Sequence, residues 1–344
     1  MVKNLKRSGL TKENINCAPV MEVVDLSTSF LTAAGEIKAV REVSFSLFAG
    51  QVLAVVGESG CGKSVTARSL LRLIDPPGYI KNGWVLLNGV NLLNLTEGEM
   101  RRLRGTEISM VFQDPMTSFD PVYTVGRQFT EALMAHEKIS QQEAKQQALQ
   151  MLSKVSLQDL ERVFNSYPFQ LSGGMRQRVM IAIALAMKPK VLIADEPTTA
   201  LDVTVQSGIL AELKRLNKET GSALLLITHD LGVVAELADR VAIMYAGRIV
   251  EIGSVYDIFD HAQHPYTRAL LTSINPIQED GGLTAIPGQP PDMANVPPGC
   301  PFSPRCPEAL RQCRQKEPEQ YIIAGEHWVS CWRAESEERK ISGA

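Results

Sequence analysis

The stretch from Val52 to Ile74 leaves a folding chain few options. Five apolar residues, Val52–Val56, run into Gly57-Glu58-Ser59-Gly60-Cys61-Gly62-Lys63-Ser64, and Lys63–Ile74 then reads as a helix stopped by Asp75-Pro76-Pro77-Gly78. A glycine loop between a buried strand and a helix N-terminus is an α/β device for holding phosphate. Glycine lets the backbone wrap the anion, while loop amides and the helix end supply positive potential. Gly57, Ser59, Gly60, Cys61 and Gly62 form the wrap, and Val65 opens the first helical turn. Lys63 is placed to bridge β- and γ-phosphates, and the Ser64 hydroxyl to ligate Mg²⁺. Cys61 fills a backbone-contact slot, and its thiol has no role.

The rest of the chain extends the same architecture. Short β-like runs cover Met21–Phe30, Ala39–Leu47, Trp84–Leu87 and Ile108–Phe112. From about Asp120 to Tyr167, Gln, Glu, Ala and Lys dominate with helical periodicity, which predicts an inserted helical subdomain over about 115–187. Strand and helix patterns then alternate: Val191–Asp195, Val203–Asn217, Ala223–Thr228, Leu231–Asp239, Val241–Tyr245. Apolar runs alternating with amphipathic helices predict a mostly parallel sheet covered on both faces.

Two further segments carry chemistry. Val191–Ala194 delivers two acids, Asp195 and Glu196, at a strand end, the usual crevice of open α/β sheets. Asp195 would support the Mg²⁺ shell, and Glu196 would polarise the attacking water as general base. Leu171-Ser172-Gly173-Gly174-Met175 is a second glycine-rich turn, with Ser172 as helix N-cap and Gly173 and Gly174 open to a phosphate arriving from outside.

In this order the motifs over residues 21–275 resemble the ATP-binding cassette family. The resemblance implies a P-loop ABC ATPase nucleotide-binding domain with an inserted helical subdomain, binding ATP and Mg²⁺. It implies that Ser172, Gly173 and Gly174 meet the ATP of a partner, so the chain works as a dimer. His229, in Thr228-His229-Asp230, would be the switch histidine that contacts the γ-phosphate and positions Glu196. Gln113 would be the glutamine that senses Mg²⁺ and water. Mg²⁺ would be held through Ser64, Gln113 and Asp195. Ala200-Leu201-Asp202 would cross the dimer interface, and Phe30 would stack on adenine.

The resemblance narrows further. Tyr167-Pro168, Ala194–Asp202, His264-Pro265-Tyr266-Thr267, Gly299-Cys300-Pro301-Phe302 and Pro304-Arg305-Cys306 look like the peptide and nickel importer subfamily, and Met175 looks like its D-type ATPase subunit. That implies an F-type ATPase partner in a heterodimer, two membrane permease subunits and an extracytoplasmic substrate-binding protein. It also implies a peripheral position on the cytoplasmic face of the bacterial inner or plasma membrane. Oligopeptide, dipeptide and nickel systems share these features.

Composition closes other routes. A net charge of −3 offers no basic field for nucleic acid, which disfavours a soluble cassette ATPase of translation or DNA repair. No run approaches about 18 uninterrupted apolar residues, which disfavours an exporter with fused membrane helices. The polar N-terminus does not read as a secretory signal. Residues 1–20 read as a tail, 21–275 as the ATP-binding domain, 276–299 as a Pro/Gly-rich linker, and 300–344 as a small C-terminal region. That region holds Cys300, Cys306, Cys313 and Cys331, spaced unlike a compact zinc finger. Four thiolates suit a [4Fe–4S] cluster or a structural zinc, and the subfamily resemblance favours the cluster.

Overall fold

A computed structural model of the chain describes residues 18–33, 35–198, 202–273 and 286–334. In chain order the elements begin β1 (Met21–Thr32), β2 (Gly35–Leu47), β3 (Val52–Val56), α1 (Lys63–Leu70), β4 (Gly78–Leu87) and β5 (Val90–Asn91). Next come α2 (Glu97–Leu103), β6 (Ile108–Val111), α3 (Pro115–Ser118), α4 (Val125–His136), α5 (Gln141–Lys154), α6 (Leu160–Asn165) and α7 (Gly173–Leu185). The chain continues through β7 (Val191–Asp195), α8 (Val203–Thr220), β8 (Ala223–Thr228), α9 (Leu231–Leu237), β9 (Arg240–Tyr245) and β10 (Arg248–Ser254). It ends in α10 (Val255–Asp260), α11 (Pro265–Thr272), β11 (Tyr321–Ala324) and β12 (His327–Val329).

These elements fall into two compact units. The first holds residues up to 48, 53–89 and 229 onward; the second holds 49–52 and 90–228. In the first unit, β1 pairs antiparallel with both β2 and β4, Met21 lying opposite Leu47 on one side and Leu87 on the other. A second set of strands runs β11-β12-β10-β9-β3. There β3 lies parallel to β9, Val56 opposite Ile243, while β10 is antiparallel to β9 and to β12. All five residues of β3 are buried, as expected of a continuous apolar run covered on both faces.

The C-terminal region joins the sheet and core of the first unit, and Val329, Cys331 and Ala334 form a small cluster of their own. β12 extends the sheet at β10, and Phe302 packs fully buried among Tyr245, Tyr266 and Val241. The expected linker also takes part in this packing over its described residues. Ile286 and Met293 lie against the same core, and residues 276–285 fall outside the described chain.

In the second unit β6, β7 and β8 are parallel, with Met110 opposite Ile193 and Ile193 opposite Leu225. Helices α3–α7 occupy the span where the helical subdomain was expected. Their starts follow from local chemistry. Thr124 caps α4, and Ser140 with Glu143 forms a capping box on α5. The pair Arg178–Glu212, with the carboxylate buried, ties α7 to α8.

Helix α1 stops at Leu70, four residues short of the sequence expectation. Arg72 adopts a left-handed φ of 54°, and the Leu73 amide closes back on the Arg68 carbonyl at 2.8 Å, a helix-terminating turn.

Candidate nucleotide site

In the first unit a glycine loop joins β3 to α1, the local order that the sequence predicts. Gly62 has φ 107°, and a Cβ there would strike the Ala39 carbonyl oxygen, so no side chain fits. Lys63 is buried, and its Nζ donates to the Gly57 carbonyl at 2.7 Å and to the Glu58 carbonyl at 3.0 Å. The ammonium is thus held over the loop by carbonyls that a phosphate oxygen could replace. Cys61 is buried beside it, Sγ 3.8 Å from Nζ, and burial pushes its thiol pKa up, so the neutral thiol packs rather than reacts. Ser64 and Val65 open α1, and the Val65 carbonyl accepts from the Ser69 hydroxyl at 2.7 Å. Phe30 is half-buried in β1, where its ring lies against Gly78. His229 is exposed, one residue before Asp230, which caps α9 by accepting from the Gly232 and Val233 amides.

In the second unit the acids stand where the apolar strand ends. Asp195 is buried, and Glu196 is half-buried with a left-handed φ of 45°. A non-glycine residue held there is under strain, of the kind that clusters at functional sites. Its amide donates to the Ile227 carbonyl at 2.8 Å. The Gln113 amide donates to Glu196 Oε2 at 3.2 Å, so the structure brings two expected site residues together. Phe112, the residue before Gln113, lines an apolar groove of about 270 Å³ with Phe119, Phe129, Leu133, Met180 and Met187.

The second glycine turn opens α7 with its end exposed. Ser172 is the N-cap, its hydroxyl accepting from the Met175 amide at 3.3 Å. A Cβ on Gly174 would meet Val205 Cγ1 at 2.6 Å, so this turn of α7 sits too close to α8 for a side chain. Arg176 braces the turn by donating to the Leu171 carbonyl at 2.7 Å. Asp202 caps α8, while Ala200 and Leu201 of the expected interface loop lie outside the described residues.

The four C-terminal cysteines line one small cavity with Phe302, Pro318 and Trp332. Burial pushes the Cys300 thiol up to about 12 and that of Cys331 to about 11, which keeps both neutral in the absence of a bound cation. The donor set is soft and convergent, but the cavity is only about 20 Å³, room for a water. Among the described residues no group of three or more His, Cys, Asp or Glu is arranged to hold a metal ion. The geometry therefore does not carry the expectation of a metal centre here.

Sequence reasoning missed a third set of residues at the phosphate loop. Arg305 and Tyr266 both hydrogen-bond Glu58, from more than 200 positions away in the chain. Both lie in segments that stood out as motifs, but nothing in their spacing says what they touch.

A phosphate loop feeding a helix, acids at the end of a buried parallel strand and a capped glycine turn define an ATP-binding cassette ATPase. The family model described as ABC transporter matches residues 40–199, and the chain belongs to that family, whose ATP-binding proteins hydrolyse ATP in support of transport. It falls in the oligopeptide and dipeptide branch. Residues 250–313 match the oligopeptide/dipeptide transporter C-terminal region. The chain is 49% identical over 330 residues to the oligopeptide transport ATP-binding protein OppD of Bacillus subtilis, covering 95% of this chain and 92% of that one. It is 50% identical over 315 residues to the dipeptide transport ATP-binding protein DppD of the same organism, covering 91% and 94%. Among solved structures, the dimeric bacterial ABC transporter cassette MJ0796 superposes with a TM-score of 0.62 at 28% identity, over 68% of this chain and 98% of that one. No helix among the described residues is long and apolar enough to cross a membrane.

Proposed function

We propose that this chain is the ATP-hydrolysing subunit of an importer for di- or oligopeptides. It would act peripherally at the cytoplasmic face of the membrane, with two permease subunits and an extracytoplasmic substrate-binding protein. The observation that carries this is near-full-length similarity to peptide-transport ATP-binding proteins, together with the matching C-terminal region. A nickel importer is the alternative. Uptake assays with the copurified permeases and binding protein decide between them: accumulation of labelled dipeptides or oligopeptides supports the reading, and accumulation of nickel alone overturns it.

At the nucleotide, Lys63 binds the β- and γ-phosphates and Phe30 stacks on adenine. Glu196 accepts the proton of the attacking water, and His229 orients it toward the γ-phosphate. Ser64, Gln113 and Asp195 offer only oxygen donors, a set that suits Mg²⁺, which when bound neutralises phosphate charge. Ser172, Gly173 and Gly174 present the N-terminus of α7 to the ATP of an F-type partner, so turnover by the isolated chain is slow.

For the four cysteines we infer a [4Fe–4S] cluster in preference to zinc, on the soft donor set of four thiols gathered in one region and not on the cavity. Anaerobically purified protein should carry iron and sulfide and absorb visible light. Absence of both after anaerobic purification removes the inference.

A further inference from the structure

The phosphate loop carries an acid. Glu58 follows Gly57 directly, and a carboxylate in a loop that takes a polyanionic nucleotide repels it unless its charge is met. Arg305 meets it. Nη1 donates to Glu58 Oε2 at 2.6 Å and Nη2 to Oε1 at 2.9 Å, a two-pronged fork onto the carboxylate.

The arginine is itself fixed. Its side chain is 5% exposed, its Nε donates to the Pro287 carbonyl at 2.8 Å, and Nη1 also reaches the Tyr245 hydroxyl at 3.2 Å. Its backbone amide donates to the Phe302 carbonyl at 2.9 Å, in the turn between Cys300 and Cys306. A second arm reaches the same loop residue, since the Glu58 amide donates to the Tyr266 hydroxyl at 2.9 Å. Tyr245, Tyr266 and Phe302 form a ring cluster with centroids 4.5–5.4 Å apart. Glu58 therefore has its carboxylate, its amide and its carbonyl all engaged, the last by Lys63.

We propose that Arg305 is a positioning residue for nucleotide binding. It neutralises the Glu58 carboxylate and turns it out of the loop, so that the loop offers ATP only donors. The C-terminal cysteine region thereby sets the nucleotide affinity of a loop 247 residues away. The proposal rests on the reading of Gly57–Ser64 as the site of ATP phosphates.

A mere anchor for the Cys300–Cys306 turn and a charge-neutralising residue differ in what rescues them. The test is equilibrium binding of MgATP to the purified full-length chain at several salt concentrations. Arg305→Gln should bind ATP about tenfold more weakly, less so at high salt, with kcat of the assembled transporter near normal and KM raised. The double variant Glu58→Gln/Arg305→Gln should recover to within about threefold of the unmodified chain. Glu58→Gln alone should bind at least as tightly as the unmodified chain, whether or not the arginine variant folds.

Wild-type affinity in Arg305→Gln, no recovery in the double variant, or weaker binding in Glu58→Gln each overturns the proposal. If Lys63→Ala binds ATP as well as the unmodified chain, the phosphate-loop reading falls and the proposal with it. A normal Lys63→Ala defect beside an unaffected Arg305→Gln sinks the proposal alone.

Discussion

The side-chain amide of Gln113 donates to Glu196 Oε2 at 3.2 Å, joining the residue just beyond β6 to the acid just beyond β7. Parallel pairing of those strands, Val111 opposite Ala194, brings the two ends to one edge. The amide holds a carboxylate whose backbone is already constrained at φ 45°. That contact orients the carboxylate before any water arrives, as the general-base role we propose for it requires.

Replacing Glu196 by Gln keeps the shape and removes the basic oxygen. ATP turnover of the assembled transporter should fall by about a hundredfold or more while ATP stays bound. Turnover assays and nucleotide retention on gel filtration measure the two effects, and turnover at the normal rate would show that Glu196 is not the base.

Ser172 should show a split between stability and turnover. Ser172→Ala loses one N-cap bond on α7, about 1 kcal/mol of stability at most for an exposed cap. ATP affinity at this chain's own phosphate loop should be unchanged, and turnover at the partner's ATP should drop. Single-site turnover in transporters carrying one disabled phosphate loop separates the two sites.

Acid should loosen the first unit through His264. Burial pushes this imidazole down from 6.5 to about 4, with Arg268 acting the same way and Glu251 opposing. Its Nδ1 accepts from the Tyr266 amide at 3.0 Å, capping α11, and can do so only when unprotonated. The unfolded chain takes up the proton near 6.5 and the folded chain near 4, so stability rises with pH across that window. Acidification from 6.5 to 4 should remove roughly 3 kcal/mol. Urea melts at stepped pH measure this. His264→Asn, which keeps a capping acceptor without titrating, should flatten the slope there.

Glu251 is fully buried and takes three donors: the Gln263 amide at 2.7 Å, the His264 amide at 3.0 Å and His327 Nε2 at 2.9 Å. Glu251→Ala should cost about 3–5 kcal/mol by stranding those donors. Chemical denaturation would show it as a lower midpoint at an unchanged slope.

Much of this molecule could be read along the chain. The β3–loop–α1 unit, the acids after β7 and the capped turn before α7 are each local, because a run of neighbouring residues both forms the element and supplies the chemistry. The strand β10, the helices α10 and α11 and the pair β11–β12 escaped, since short segments are specified by what they pack on rather than by periodicity. The cysteines were legible as a cluster, yet their cavity shows neither the room nor the arrangement of a metal site.

Sequence by itself determined the class of protein and the places of its glycine loop, strand-end acids and second glycine turn, because those features depend on residue type at short spacing. Tertiary structure alone decided that Gln113 holds Glu196, that Glu251 gathers three donors, and that Arg305 forks onto Glu58. Those contacts join residues 12 to 247 positions apart, and only packing brings such residues within hydrogen-bonding reach.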